Sequence, residues 1–308
     1  MLASQLLARH LPPYFATGPV ADVVKRRAPR PRPASAHAID EAYFDRIDTP
    51  EKAYILGFIT ADGCIHHHPP SVSLELGGKD IDHLARLRDI LAPTVQIRPH
   101  PVRCNGRDIM QFRLTICSVR WVASLERLGV RAAKSLTVQP AELREELMPA
   151  YWRGVVDGDG SVFWSRSVGW GLSLTGSLPM ALGLQGFLAR AGVESRSTVR
   201  RDKGAWRYEI GGHDLVRTAL RVLYPRGPRE LSLGRKAAAA EVVCALPGRF
   251  DASRAASPEA IARLRQQGLS SADIAAELGI SRTTLWCKEQ ANTSTGRDDD
   301  NSRPQGRA

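Results

Sequence analysis

No run of about 18 apolar residues occurs in the 308-residue chain, so there is no candidate for a membrane-spanning helix. The amino-terminal stretch also lacks the order of a secretory signal, because its basic cluster follows the apolar part instead of preceding it. Cysteine is scarce. The five residues, Cys64, Cys104, Cys117, Cys244 and Cys287, are odd in number and form no CxxC pair. That speaks against a disulfide framework and for a reducing compartment. Cys64 lies near His66, His67 and His68, but the spacing is not that of a structural zinc site, and the segment reads as a polar turn. Acidic residues are the minority, 32 against 43 Lys and Arg, leaving a net charge of +11. A basic balance fits a polyanionic partner, and it fits plain solubility equally well.

The chain is long enough for two or three domains, each with an ordinary core. Residues 1–38 are rich in Pro, Arg and Ala without apolar periodicity, and they read as a disordered basic segment. Residues 292–308 read as a disordered tail. Between them the chain repeats itself. AYILGFITADGCI (Ala53 to Ile65) matches AYWRGVVDGDGSV (Ala150 to Val162) in Ala-Tyr, in a following Gly and in a closing Asp-Gly. These segments head two units, expected over 39–147 and 148–247.

The stretches after the two segments match as well. In the first unit a strand is expected at Ser71–Leu76, a helix at Lys79–Leu91, strands at Thr94–His100 and Ile109–Cys117, and a helix at Val119–Leu128. In the second, a strand is expected at Trp170–Thr175, a helix at Leu178–Ala191, strands at Glu194–Arg201 and Ala205–Ile210, and a helix at Asp214–Leu223. Alternation of one apolar and one polar face implies sheets covered on one side only. The expected class is α+β, with two αββαββα-like units.

The repeated segments themselves read as helices. Thr49 is a good N-cap with Pro50 in the first turn, and Gly63 and Gly160 end the two helices as left-handed caps. Small residues stand four apart, Gly57 and Ala61 in one and Gly154 and Gly158 in the other, which allows two backbones to approach closely. Both helices are apolar nearly all round, so both are buried, and the simplest partner for each is the other. That pairing puts Asp62 beside Asp159 at the helix C-termini, where the dipole opposes each carboxylate by about 0.3–1 kcal/mol and the two repel each other. A hard divalent cation is the natural compensation. One Asp-Gly after an apolar helix is ordinarily a turn; two in matched repeats point to chemistry.

These residues resemble the LAGLIDADG homing endonuclease family, whose nine-letter motif aligns with ILGFITADG (Ile55 to Gly63) and WRGVVDGDG (Trp152 to Gly160). The resemblance covers about residues 40–245. It implies a monomeric pseudo-dimer whose two sheets form a saddle on double-stranded DNA, in the cytoplasm and associated with the nucleoid. It implies that Asp62 and Asp159 bind Mg²⁺ (or Mn²⁺) for phosphodiester hydrolysis, and that Lys134 and Lys236 are basic residues of the two sites. Arg98, Gln111, Arg113, Arg196, Arg200 and Arg207 become candidate DNA contacts. The first acidic position of the motif is Asp157 in the second copy but Thr60 in the first; it is not the family's metal ligand, and its loss makes the halves unequal.

Residues 256–291 read as a helix-turn-helix resembling those of resolvases and bacterial regulators. Ser257 caps a first helix, Ser271 a second carrying Ile274, Ala275 and Leu278, and Ser281 a third, with Gly279 in the turn. Arg282, Thr283, Thr284 and Lys288 are then the groove-facing residues. A small helical hairpin packed on the core is the other reading of this stretch, whose basic and acidic residues balance. Two rival functions stay open: a non-cutting transcriptional regulator of LAGLIDADG plus helix-turn-helix type, resembling WhiA, and an intron RNA maturase. A splicing intein is disfavoured because no His-Asn dipeptide stands at a terminal junction.

Overall fold

The structure is a computed structural model that describes residues 39–104, 106–165, 169–225, 231–246 and 256–294. The expected disorder of 1–38 and nearly all of the expected tail lie outside these residues. Helix α1 (Pro50–Asp62) begins as its sequence dictates: Thr49 is extended, and its side chain accepts a hydrogen bond from the Lys52 amide. Strands β1 (Gly63–His67) and β2 (Pro70–Gly77) come next as a hairpin. After them stand a short 3-10 turn, helix α2 (Ile81–Leu91), strands β3 (Arg98–Cys104) and β4 (Arg107–Cys117), and helix α3 (Val119–Arg127). The second unit repeats this order with α4 (Met148–Asp159), β5 (Gly160–Ser165), β6 (Gly169–Gly176), α5 (Leu178–Arg190), β7 (Arg200–Asp202), β8 (Ala205–Gly211) and α6 (His213–Leu223).

Each unit holds one antiparallel four-stranded sheet, ordered β1-β2-β4-β3 and β5-β6-β8-β7. The two sheets are topological copies, and the class is α+β as expected. One face of each is apolar: Val72, Leu74, Leu114 and Ile116 in the first and Leu172, Leu174, Tyr208 and Ile210 in the second are buried. Helices α2 and α3 pack on β2, and α5 and α6 pack on β6. Helices α1 and α4 pack on each other, and one continuous apolar cluster runs through both units. Helix α7 (Gly234–Ala245) then packs on α6 and β5.

Several local expectations are corrected. The segment from Cys64 to His67 is a strand rather than a turn, because it pairs along its length with β2. The strand expected at Thr94–His100 starts only at Arg98: the Val95 amide donates to the Ala92 carbonyl in a tight turn after α2. The strand expected at Glu194–Arg201 shrinks to Arg200–Asp202. There the Ser197 amide is taken by the Ser195 hydroxyl at 3.1 Å, and the Ser197 carbonyl by Gln185 at 3.0 Å, so local bonds displace the ladder.

The C-terminal stretch forms three helices, α8 (Pro258–Gln266), α9 (Ser271–Glu277) and α10 (Arg282–Ser294). They bury Ile261, Leu264, Ile274, Ala275 and Leu285 in an apolar cluster of their own. The cap of α9 is Ser270, not Ser271: its hydroxyl accepts from the Asp273 amide, and Asp273 reaches back to the Ser270 amide. Gly279 (φ 63°) makes the turn into α10, a backbone conformation that glycine adopts without strain.

Candidate active site and nucleic-acid interface

The site starts from two glycines. A Cβ on Gly57 would lie 2.0 Å from the Tyr151 carbonyl oxygen, and one on Gly154 would lie 2.1 Å from the Tyr54 carbonyl oxygen. Each helix therefore presses its glycine onto the other's backbone at the corresponding place. One turn on, a Cβ at Gly158 would meet the Ala61 Cβ at 2.4 Å and the Asp62 Cγ at 3.4 Å. The C-terminal ends of α1 and α4 abut, which carries Asp62 and Asp159 to one place.

The glycines ending these helices work differently from the expectation. Gly63 (φ −76°, ψ 145°) and Gly160 (φ −89°, ψ 172°) are extended, not left-handed. Glycine is needed because a Cβ would sit 2.6 Å from the carbonyl oxygens of Ile59 and Val156 respectively. The chain leaves each helix straight into a strand and shields the helix end with its own backbone.

Asp62 is half-buried and Asp159 keeps an open edge to solvent; neither accepts a hydrogen bond from, or ion-pairs with, any described residue. Burial pushes the Asp62 carboxyl up to about 6, and the charge of Asp159 adds to the rise against the pull of Lys236 and Lys134. The protein packed around Asp159 raises its carboxyl too, by stripping away part of its water, and Lys134 and Lys236 oppose the rise. A cavity of about 210 Å³ opens beside Asp159, lined among others by Thr60, Ala61, Ser135 and Thr175. Among the described residues no cluster of three or more His, Cys, Asp or Glu gathers anywhere. The two carboxylates are the oxygen-donor side chains that meet at the helix ends. That set fits a hard cation such as Mg²⁺, which keeps several waters and takes one or two carboxylates plus substrate phosphates.

Lys134 and Lys236 are buried, at 8% and 3% exposure, rather than solvated on the surface. Lys134 donates to the carbonyl of Gly63. Lys236 donates to the carbonyls of Gly160, Val156 and Asp157, each at 2.7 Å. The two lysines therefore stand in the same relation to the two helix ends, capping carbonyls that the negative end of the dipole leaves exposed. Burial lowers both, Lys236 to about 8, while nearby carboxylates pull the other way.

Sequence reasoning set Asp157 aside. It is buried and accepts from the Tyr54 hydroxyl (2.8 Å), the Tyr224 hydroxyl (2.6 Å) and the Leu233 amide (2.7 Å). It ties α1, α6 and the start of α7 together. Its counterpart Thr60 returns its hydroxyl to the Leu56 carbonyl within α1 and also meets the Tyr151 hydroxyl of α4. The available signal was a carboxylate at a buried position of a largely apolar helix, a group that must find donors once buried.

Arg98, Gln111 and Arg113 lie on the sheet face opposite the core, Arg98 paired in register with Arg113 and Gln111 with His100. Arg200 and Arg207 repeat the first pairing in the second sheet. Arg196 lies in the loop before β7, so it is not on the sheet. In α10 Arg282 and Thr283 are exposed, Lys288 is half-buried, and Thr284 is engaged with its cap Ser281, hydroxyl to hydroxyl at 2.7 Å. Trp286, exposed beside them, was missed, as were Glu75, His100 and Glu209, which share the sheet faces with the arginines.

No curated protein matches the chain. Similar solved structures include a LAGLIDADG meganuclease, I-AabMI, bound to uncleaved DNA, with 14% identity over 64% of this chain and 89% of that one and a TM-score of 0.40. Full-length DUF199/WhiA from Thermatoga maritima shows 13% identity over 83% and 95%, TM-score 0.39. Mesophilic variants of the homing endonuclease I-DmoI show 16% over 63% and 97%, TM-score 0.41. A family model of a LAGLIDADG-like domain matches residues 146–223. By sequence, then, the second unit, from the approach to α4 through α6, is similar to a LAGLIDADG-like domain.

Proposed function

We propose that the protein is a site-specific double-strand DNA endonuclease that hydrolyses phosphodiesters with divalent metal ions. One observation carries the reading. Two aspartates without ion-pair partners meet at abutting helix ends, with two buried lysines alongside, each fixed to the carbonyl of the glycine that ends one of the helices. Such an arrangement opposes folding, and a bound cation relieves it.

Asp62 and Asp159 would hold Mg²⁺ or Mn²⁺. A cation there supplies Lewis acidity toward a phosphodiester and its attacking water. Glycines 57, 154 and 158 keep the two carboxylates adjacent by letting the backbones touch. Lys134 has donors to spare beyond its bond to Gly63, and these can reach a phosphate oxygen or orient a water. Lys236 has each of its three protons on a carbonyl, so it acts as a fixed positive charge. The sheet arginines and Gln111 would lie along the duplex, some on phosphates and some on base edges of the major groove.

A non-cutting DNA-binding regulator is the second reading. The separate three-helix cluster favours it, since an exposed Arg282 and Thr283 at the start of α10 fit groove insertion as a helix-turn-helix. Cleavage of a randomised duplex library with Mg²⁺, beside an Asp62→Asn/Asp159→Asn control, separates the two. Cuts at one long site, lost in the control, support the endonuclease; binding without cutting supports the regulator.

A further inference from the structure

The centre of each outward sheet face holds an arginine already gripped by a carboxylate. In the first sheet Arg113 Nε donates to Glu75 Oε1 at 2.6 Å, across the register pair that joins β2 and β4. Its Nη2 lies 2.6 Å from His100 Nε2, whose ring is 3.7 Å from the other Glu75 oxygen. In the second sheet Arg207 Nη2 lies 2.6 Å from Glu209 Oε2 and 3.3 Å from the Ser173 hydroxyl. Arg200 reaches the same Glu209 oxygen at 3.6 Å. All four side chains of the two main pairs stay partly open, between 23% and 39% exposed.

Carboxylates are out of place on a surface that meets phosphates, because like charge repels at short range. Their acceptors match something only where the duplex presents donors, and in the major groove cytosine N4 is the base donor that Glu and Asp accept from. A guanidinium has five donors, so Arg113 keeps some free after its bonds to Glu75 and His100. Free Arg donors fit guanine O6 and N7. An arginine and a carboxylate held side by side thus match the two partners of one G·C pair.

The two couples are built differently. Glu75 stands on the neighbouring strand, where the second sheet has Thr175, whereas Glu209 stands two residues along the same strand, where the first sheet has Thr115. The carboxylate therefore lies across the strands from its arginine in one half and along the strand in the other.

Resting on the endonuclease reading, we infer that Glu75 and Glu209 are specificity-determining residues. Each fixes an arginine so that the couple selects a G·C pair in its own half of the target, and the unlike placements select an asymmetric site. Surface ion pairs that only brace a sheet contribute little and have no base preference.

The test selects duplexes from a random library by binding, in the full-length Asp62→Asn/Asp159→Asn protein, so cutting is not required. Glu75→Gln and Glu209→Gln are made on that background, with Arg113→Lys as a variant that keeps charge but loses the fork. Thermal melts show that each is folded. Glu75→Gln is expected to lower the preference for one G·C pair by about 5- to 100-fold in one half-site only. Glu209→Gln should do the same in the other half, and Arg113→Lys should affect the same position as Glu75→Gln. Unchanged base preference in both Gln variants, or an equal loss at every position, overturns the inference while leaving the DNA reading intact. A parent protein that selects no sequence overturns both.

Discussion

An ammonium group carries three protons, and in Lys236 each is aimed at a carbonyl at the end of α4. Lys134 makes the matching bond to Gly63. Lys236→Met should therefore destabilise the fold by about 1–3 kcal/mol, the cost of buried acceptors left without donors. Lys134→Met should cost less stability yet lose more single-turnover cleavage, since Lys134 has donors free for substrate. Urea melts beside cleavage rates check this, and the reverse order would assign the chemistry to Lys236. Asp62 yields a prediction with a definite sign. Folding raises its carboxyl from 3.8 to about 6, so the folded protein holds that proton more tightly than the unfolded chain. Ionised Asp62 thus opposes folding above about pH 6, and the opposition is gone below about pH 4. In metal-free protein Asp62→Asn should raise the melting temperature at about pH 7.5 and leave it unchanged near pH 4. Adding Mg²⁺ at about pH 7.5 should then stabilise the wild type and not the variant.

The helix pair α1 and α4 is the element on which the site depends, and its packing leaves no room for a methyl group. Gly57→Ala and Gly154→Ala would each drive a Cβ to about 2 Å from a backbone oxygen of the opposite helix. Backbone cannot rotate aside as a side chain can, so each should cost about 1–3 kcal/mol or more and separate the aspartates. A lower melting temperature together with lost Mg²⁺ stabilisation is the expected result; an unchanged melt would mean the helices pack less closely. Helix α4 has a second tie in Asp157, which gathers Tyr54, Tyr224 and the Leu233 amide. The α1 position that matches it, Thr60, returns its hydroxyl to the Leu56 carbonyl and also meets the Tyr151 hydroxyl, so a hydroxyl in one half stands where the other has a carboxylate.

At the scale of the molecule, the two units share one apolar interior while the three C-terminal helices bury their own. Deleting residues 256–308 should then leave the melting of the remainder nearly unchanged and weaken DNA binding. If Arg282 and its neighbours touch phosphates, the fall of affinity with salt should also become shallower, by about one unit of log–log slope for each phosphate no longer neutralised. A truncated protein with wild-type affinity and salt slope would restrict α10 to a structural role. The net charge of +11 fits such binding but does not locate it, because the sheet arginines at its centre are partly neutralised by Glu75 and Glu209.

The sequence alone determined the features that short-range patterns carry. Apolar periodicity marked most strands and helices, the repeat marked two like units, and small residues four apart marked the helices whose backbones touch. It misjudged Gly63 and Gly160, since a glycine that relieves crowding looks the same in a string as one that turns left-handed. It also extended the strand before β7 through serines whose local bonds break the ladder. Tertiary structure alone decided the rest: the carbonyls that Lys134 and Lys236 cap, the donors that Asp157 gathers, and the carboxylates that hold Arg113 and Arg207. Most of these partners lie tens of residues apart. No local periodicity encodes such a pairing, because burial chooses the partner only after the chain has brought both groups out of water.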